Sequence, residues 1–339
     1  MVADLFRAPA AARPDGSIGA ELELIPVRNS SERRVAIASG REGSGTAEII
    51  RSTATVRGWH EALDAYGASS WTTADGSRIS YEPGGQIEIS SPVFRSPETL
   101  EHSLGVTVAD LRESAGAQGI SLLATGVDPY NAIDDVSLEL HAPRYEAMTR
   151  YFDSIGPSGV RMMRQTASLQ VSVEVGANPI ERWALLNALA PYLLAASANS
   201  PIYAGRATGY ASYRAHLWQS LDHSRTGIPF DARDPVGAYA TFADRAGRIL
   251  SDDAAHLTTL FPEIRPRGYF EIRSMDAMEL DRVGDMLRFI YEIMHRPDLA
   301  HEARKLLGNP DPDLLKRAAL LGRSDPLLDR RLSALERLL

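Results

Sequence analysis

The pattern that most constrains this chain is an alternation of polar and apolar side chains that returns in four separate segments. In Gln86 to Ser90, residues Gln86, Glu88 and Ser90 share one face while Ile87 and Ile89 share the other. That run follows the Pro83-Gly84-Gly85 break inside ISYEPGGQIEISSP, Ile79 to Pro92. Ile18 to Arg28, IGAELELIPVR, sets Glu21 and Glu23 against Ala20, Leu22 and Leu24. In Arg161 to Gly176, Thr166, Ser168, Gln170, Ser172 and Glu174 alternate with Ala167, Leu169, Val171, Val173 and Val175. Arg267 to Met275 places Tyr269, Glu271 and Arg273 opposite Phe270 and Ile272. A period of two calls for strands with one apolar and one polar side.

If the four strands share a sheet, the apolar side packs on helices. The polar side then forms a floor carrying Glu21, Glu23, Glu88, Gln170, Glu271 and Arg273. Glu21 and Glu23, two residues apart on a strand, stand about 7 Å from each other. Carboxylates crowded in this way raise one another's pKa, and a divalent cation relieves the repulsion. Mg²⁺ prefers hard oxygen ligands and is commonly recruited with substrate phosphates, so a Glu-lined floor with a few arginines points to nucleotide-phosphate chemistry. Strands that face plain water also carry Glu, Gln and Ser, and the alternation alone fits that reading as well.

Composition narrows the partners. With 339 residues, 44% of them hydrophobic, the chain can bury a large core as one big domain or two ordinary ones. The absence of cysteine excludes disulfides, thiolate nucleophiles and Cys-ligated metals, and fits a cytoplasmic protein. A formal charge of -8 without a basic cluster argues against nucleic acid or an anionic membrane as partner. Lysine occurs only at 305 and 316, so phosphate binding would fall to arginine, backbone N–H groups or metal.

Residues 1–17 read as a flexible tail without a signal-peptide core. Gly40 to Gly45, GREGSG, reads as a plain loop, since no lysine follows it. Helical spacing is expected over 47–67, over 96–119 behind a Ser-Pro-Glu cap, and over 143–155, 180–198 and 234–249. A short helix is expected near 256–261, a buried strand over 120–127, and helices from Glu279 to Leu339 broken at Gly308–Pro312 and Ser324–Pro326. The run Trp183 to Ala198 is shorter than a membrane span and contains Pro191, which suits a buried helix. Between it and Phe230 lies a stretch dense in aromatics, arginines and glycines, the composition of a binding loop. His216 and His223 fall there, as ligand contacts or as capping and surface residues.

The segments IGAELELI, ISYEPGGQIEIS, MMRQTASLQVSVEVG, ANSPIYAGRATGYASYRAHLW, SRTGIPF and HLTTLFPEIRPRGYFEIRSMDA carry a resemblance. In order and style, from about Ile18 to Leu280, the chain resembles the plant-type glutamate-cysteine ligase family (family 2), closest to its actinobacterial ergothioneine-pathway branch. The resemblance implies an α+β fold: a curved, mainly antiparallel sheet whose polar inner face binds Mg²⁺-ATP, with helices on the outer face, as in glutamine synthetase and guanido kinase-like folds. It implies a tail over 1–17, a catalytic domain over 18–300 and a C-terminal helical extension over 301–339. The activity implied is that of an ATP-dependent carboxylate-amine ligase. Such an enzyme phosphorylates the γ-carboxyl of glutamate, and the amino group of cysteine then displaces phosphate. Carried over by motif, Glu21, Glu23, Glu82, Glu88, Gln170 and Glu271 would hold Mg²⁺ ions around ATP. Arg273 would offset charge on the transferred phosphoryl group, and Arg214, with Tyr210, Tyr213 and Trp218, would grip an amino-acid substrate, the alternative for Arg214 being a structural arginine stacked on those aromatics. The chain departs from the family in a short stretch between Phe242 and His256 and over 29–58. A ligase using another acid or amine, or a silent nucleotide-binding homologue, are the alternatives; oligomeric state is not readable.

Overall fold

The computed structural model describes residues 2–8, 16–40 and 43–339. Four of its strands are those that the alternation predicts: β1 (Ile18–Arg28), β5 (Ile87–Ser90), β7 (Ser168–Glu174) and β13 (Tyr269–Asp276). They join β2 (His60–Leu63), β3 (Ser69–Thr72), β4 (Arg78–Tyr81), β6 (Ile120–Leu123) and β12 (Ile264–Pro266) in one nine-stranded open sheet. Its order is β12-β13-β7-β1-β5-β4-β3-β2, with β6 pairing the C-terminal half of β1. All these pairings are antiparallel. Two-stranded pairs β8 (Ile202–Tyr203) with β9 (Arg206–Ala207), and β10 (Thr226–Gly227) with β11 (Phe261–Pro262), lie apart from it.

Register aligns the alternation across strands. Glu21 pairs with Gln170 on one side and Ser90 on the other, and Glu23 pairs with Glu88. The opposite face turns Leu22, Ile89, Val171 and Phe270 into a buried core. Full burial of each such side chain favours the fold by about 1.5–3 kcal/mol.

The helices are α1 (Thr46–Arg57), α2 (Pro97–Ala117), α3 (Pro143–Ile155), α4 (Pro157–Gln165), α5 (Pro179–Ser197), α6 (Tyr213–Leu221), α7 (Pro235–Arg245) and α8 (Asp253–Leu257). They are followed by α9 (Leu280–His295), α10 (Pro297–Leu307), α11 (Asp313–Leu321) and α12 (Pro326–Glu336). Ser96 caps α2 as its sequence predicts, accepting from the Thr99 N–H at 3.2 Å with Pro97 at the first helical position. Helix α5 is apolar on all sides because it is covered by the sheet and by α10, α11 and α12. Among the described residues no helix is long and apolar enough to cross a membrane.

Several expectations need correction. The opening stretch is a hairpin, β4–turn–β5, so Ile79 to Tyr81 is a strand of its own. The helix expected over 47–67 ends at Arg57, where Gly58 adopts the left-handed cap conformation (φ 70°), and β2 follows. Arg161 to Gln165 belongs to α4 rather than to the strand. Within the expected tail, Val2–Phe6 forms a short 3₁₀ helix, and Phe6 inserts between Trp183 (5.1 Å) and Phe270 (6.1 Å). Residues 9–15 of that tail and residues 41–42 of the Gly-rich loop lie outside the described residues. The boundary at 300 falls inside α10, and Leu315, Leu328 and Leu332 share the same core as the sheet. These last helices are therefore a part of the domain rather than an appendage.

Candidate functional site

The polar face is a floor of buried and half-buried groups, unlike that of strands turned plainly to solvent. Glu23 is 7% exposed, Gln170 6%, Glu271 2% and Arg273 9%. Groups so placed need partners.

Glu23, Glu82 and Glu88 come together, each offering a carboxylate oxygen within 4.8 Å of the others. Pairing of β1 with β5 supplies Glu23 and Glu88, and the β4–β5 turn supplies Glu82. That turn is fixed from several sides. Gly85 takes φ 78°, open to glycine but strained for other residues. A Cβ on Gly84 would lie 2.1 Å from the Arg164 carbonyl oxygen. Gln86 accepts from the Gly84 N–H at 3.0 Å and donates to the Thr166 carbonyl at 2.7 Å. Gln86 thus clamps the turn to the segment joining α4 to β7. Glu88 accepts from Ser80 and Ser90, both at 3.1 Å. Glu23 accepts from the Ser168 N–H at 2.8 Å and the Ser168 hydroxyl at 3.0 Å.

Burial, with Glu88 alongside, pushes the Glu23 carboxyl up to about 7. Burial followed by the charges of Glu88 and Glu271 pushes Glu21 up to about 8. Glu82 is raised well above the carboxylate range by burial, then by Glu88 and Glu23. Tyr145 of α3 is pushed up to about 12 by burial and by the nearby charge of Glu82.

The other end of the floor is different. Glu271 Oε2 receives Arg273 at 2.6 Å and Arg265 at 3.2 Å, and its Oε1 lies 3.5 Å from Arg267. Burial would raise its pKa, but these guanidiniums, Arg265 and Arg273 foremost, hold it down to about 2. Gln170 links the two ends, donating to Glu23 at 3.2 Å and accepting from Arg273 at 2.7 Å.

Of the predicted ligand residues, Glu23, Glu82 and Glu88 form the carboxylate cluster. Glu21 stands beside it, between Ser90 and Gln170. Glu271 lies outside the triplet and pairs with Arg273, while Gln170 bonds both Glu23 and Arg273. Arg214 is 2% exposed, donates to the backbone carbonyls of Arg273 and Ser274, and faces Trp218. Tyr210 and Tyr213 stack on His216 at 4.2 and 5.5 Å, a shelf at the start of α6. Sequence reasoning left Ser168, Arg265 and Tyr145 without a role. Arg265 lies in a three-residue strand, too short to display a period, and Tyr145 reaches the floor from a helix remote in sequence. Cavities of about 220 and 940 Å³ open beyond the Glu174 end of the sheet, and neither is lined by the cluster.

Three clustered carboxylates, two of which (Glu23 and Glu82) burial holds above the usual carboxylate range, are hard oxygen donors and fit a divalent metal such as Mg²⁺. The comparisons agree with the fold. The family model described as glutamate-cysteine ligase family 2 matches residues 17–317. The glutamate-cysteine ligase EgtA of Mycolicibacterium smegmatis is 32% identical over 290 residues, 74% of this chain and 67% of the relative. A chloroplastic glutamate-cysteine ligase of Nicotiana tabacum is 29% identical over 315 residues, 78% of this chain and 60% of the relative. The chain therefore spans about two thirds or less of the length of these relatives. The crystal structure of the glutamate-cysteine ligase of Francisella tularensis in complex with AMP superposes with a TM-score of 0.54 at 13% identity, covering 96% of this chain and 79% of that one, a likeness of fold. By the match along most of its length, the chain belongs to glutamate-cysteine ligase family 2.

Proposed function

We propose that this protein is an ATP-dependent ligase that joins the γ-carboxyl of glutamate to the amino group of cysteine. One observation carries the proposal: a triplet of carboxylates within 4.8 Å on the sheet floor of a chain of this family, linked through Gln170 to an arginine. In the first step a γ-carboxylate oxygen attacks the γ-phosphorus of ATP and ADP leaves. In the second the amine nitrogen attacks the acyl carbon, phosphate leaves, and the nitrogen loses a proton. Mg²⁺ held by Glu23, Glu82 and Glu88, with Glu21 adjacent, would offset phosphate charge when bound. Arg273 presents a fixed guanidinium to charge on the transferred phosphoryl group, and Glu271 and Gln170 keep it in place. The proposed setting is cytoplasmic; the plant relatives are chloroplastic by name.

The test is phosphate release and product mass with ATP, Mg²⁺, glutamate and cysteine. γ-Glutamylcysteine is the expected product. The sequence is expected to depart from the family pattern between Phe242 and His256 and over 29–58, so the same assay screens other acids and amines. Turnover with another pair alone would move the proposal to a related carboxylate-amine ligase. No turnover with any pair would overturn it in favour of a nucleotide-binding protein.

A further inference from the structure

The alternation of β13 breaks once. Ile272 pairs with Val171 and Met275 with Leu169, so Arg273 and Ser274 together oppose Gln170. This is a β-bulge, which withdraws backbone groups from the ladder and re-aims a side chain. Both carbonyls at the bulge go to one side chain: Arg214 Nη2 donates to the Arg273 oxygen at 2.8 Å and Nη1 to the Ser274 oxygen at 3.3 Å. Buried Asp276 stands 3.9 Å from the same guanidinium. One helical turn on, α6 presents Trp218, whose ring centroid lies 4.9 Å from the Arg214 guanidinium and 5.2 Å from that of Arg273. The spacing i, i+4 puts Arg214 and Trp218 on one helix face, and an indole attracts both cations.

We propose that Arg214 and Trp218 are positioning residues that hold the β13 bulge and thereby aim Arg273 at Gln170 and Glu271. The contribution of this device to turnover rests on the proposed ligase reading; its effect on where Arg273 sits does not. Without Arg214 two bulge carbonyls lose their donor, and the strand gains by sliding back into regular register. The slide that seats Ser274 instead of Arg273 opposite Gln170 would turn Arg273 away from the floor.

Arg214→Met, Arg214→Lys and Trp218→Phe, in the full chain, test this by steady-state kinetics and by crystal structures. A displacement of an essential group by about 1 Å costs on the order of 10²-fold in rate. Arg214→Met is accordingly expected to lose about 10²-fold in kcat with KM values for glutamate, cysteine and ATP within about twofold, the signature of an interaction made in the transition state. Arg214→Lys should recover part of the loss, and Trp218→Phe, which keeps a ring in place, should lose several-fold. Trp218→Phe carries the test if Arg214→Met does not fold. Folded variants with wild-type kcat would overturn the proposal, as would a raised KM for an amino acid at unchanged kcat, which marks a direct grip. If the wild type shows no turnover, the ligase reading fails and the crystal structures decide: Arg273 displaced from Gln170 supports positioning, and Arg273 unmoved in Arg214→Met and Trp218→Phe overturns it.

Discussion

Glu23 and Glu271 are the same residue type, on the same face of the same sheet, with β7 running between their strands. Their chemistry diverges because their neighbours differ. Glu23 faces Glu82 and Glu88 and has its carboxyl pushed up to about 7; Glu271 faces Arg265, Arg267 and Arg273 and is held down to about 2. One end of the floor gathers carboxylates and the other sets its carboxylate among guanidinium groups. A buried carboxylate is thus neither a metal ligand nor a structural anchor by type; the charge within a few ångströms decides which it becomes.

The sharpest way to break this contrast is to neutralise each acid in turn. Glu271→Gln leaves buried Arg265 and Arg273 without their counter-charge and is expected to cost about 3–5 kcal/mol, read from denaturant unfolding without metal. Glu23→Gln removes a charge that burial disfavours, so the metal-free protein should change by no more than about 1 kcal/mol while its Mg²⁺ binding disappears from calorimetry. Equal losses from the two variants would show that the ends are electrostatically alike.

A second test acts on the backbone that assembles the cluster. Gly84→Ala drives a methyl to 2.1 Å from the Arg164 oxygen, and neither the turn nor α4 has room to yield freely. Overpacking of this kind costs about 1–3 kcal/mol. Because the same shift moves Glu82, Mg²⁺ affinity should fall together with thermal stability. Stability lost with Mg²⁺ affinity retained would show that the turn does not aim Glu82.

Proton linkage distinguishes the ends at milder cost. The raised values of Glu21 (about 8) and Glu23 (about 7) mean that the metal-free folded state holds protons that the unfolded state, near 4.5, has released. Stability from this end is therefore greatest below 4.5 and falls as pH rises toward 8. Glu271 has the opposite sign: its contribution is present above 4.5 and is lost as pH falls through about 2. A metal must displace the protons of the cluster, so Mg²⁺ affinity should rise from pH 6 to 8 by about tenfold per unit for each proton released. A pH-independent affinity would mean that the carboxylates are already ionised.

How legible this was from the sequence depends on the element. Period-two alternation located β1, β5, β7 and β13 because one face is apolar and the other polar along each of them. Edge strand β2 and its neighbour β3 have no such signature: His60 and Ala62 are both exposed, and Trp71 is the one buried residue of β3. The floor's acids could be named from the strands and the motif, including Glu82, which lies just past β4 and outside any alternating run. Their division into a cation-seeking and a cation-holding end could not, since Arg265 reaches Glu271 only through the β12–β13 pairing. Arg214 was read as a substrate grip because an arginine among aromatics has the composition of a binding loop. Its actual partners are backbone carbonyls, which a sequence does not display.

Gln170 joins the two ends, so Gln170→Met probes whether they communicate. It keeps the side-chain volume while removing a donor to Glu23 and an acceptor from Arg273. Glu23 retains both bonds from Ser168, and Arg273 retains Glu271, so the cost should be about 1 kcal/mol in denaturant unfolding. The electrostatic consequence has a definite sign. Loss of a donor to the ionised carboxylate raises the Glu23 pKa further, so Mg²⁺ binding in Gln170→Met should demand higher pH than in the wild type. At the other end Arg265 and Arg273 still hold Glu271, and the unfolding transition near its low pKa should not move. A shift at both ends would make the floor one coupled charge network, with Gln170 carrying the coupling.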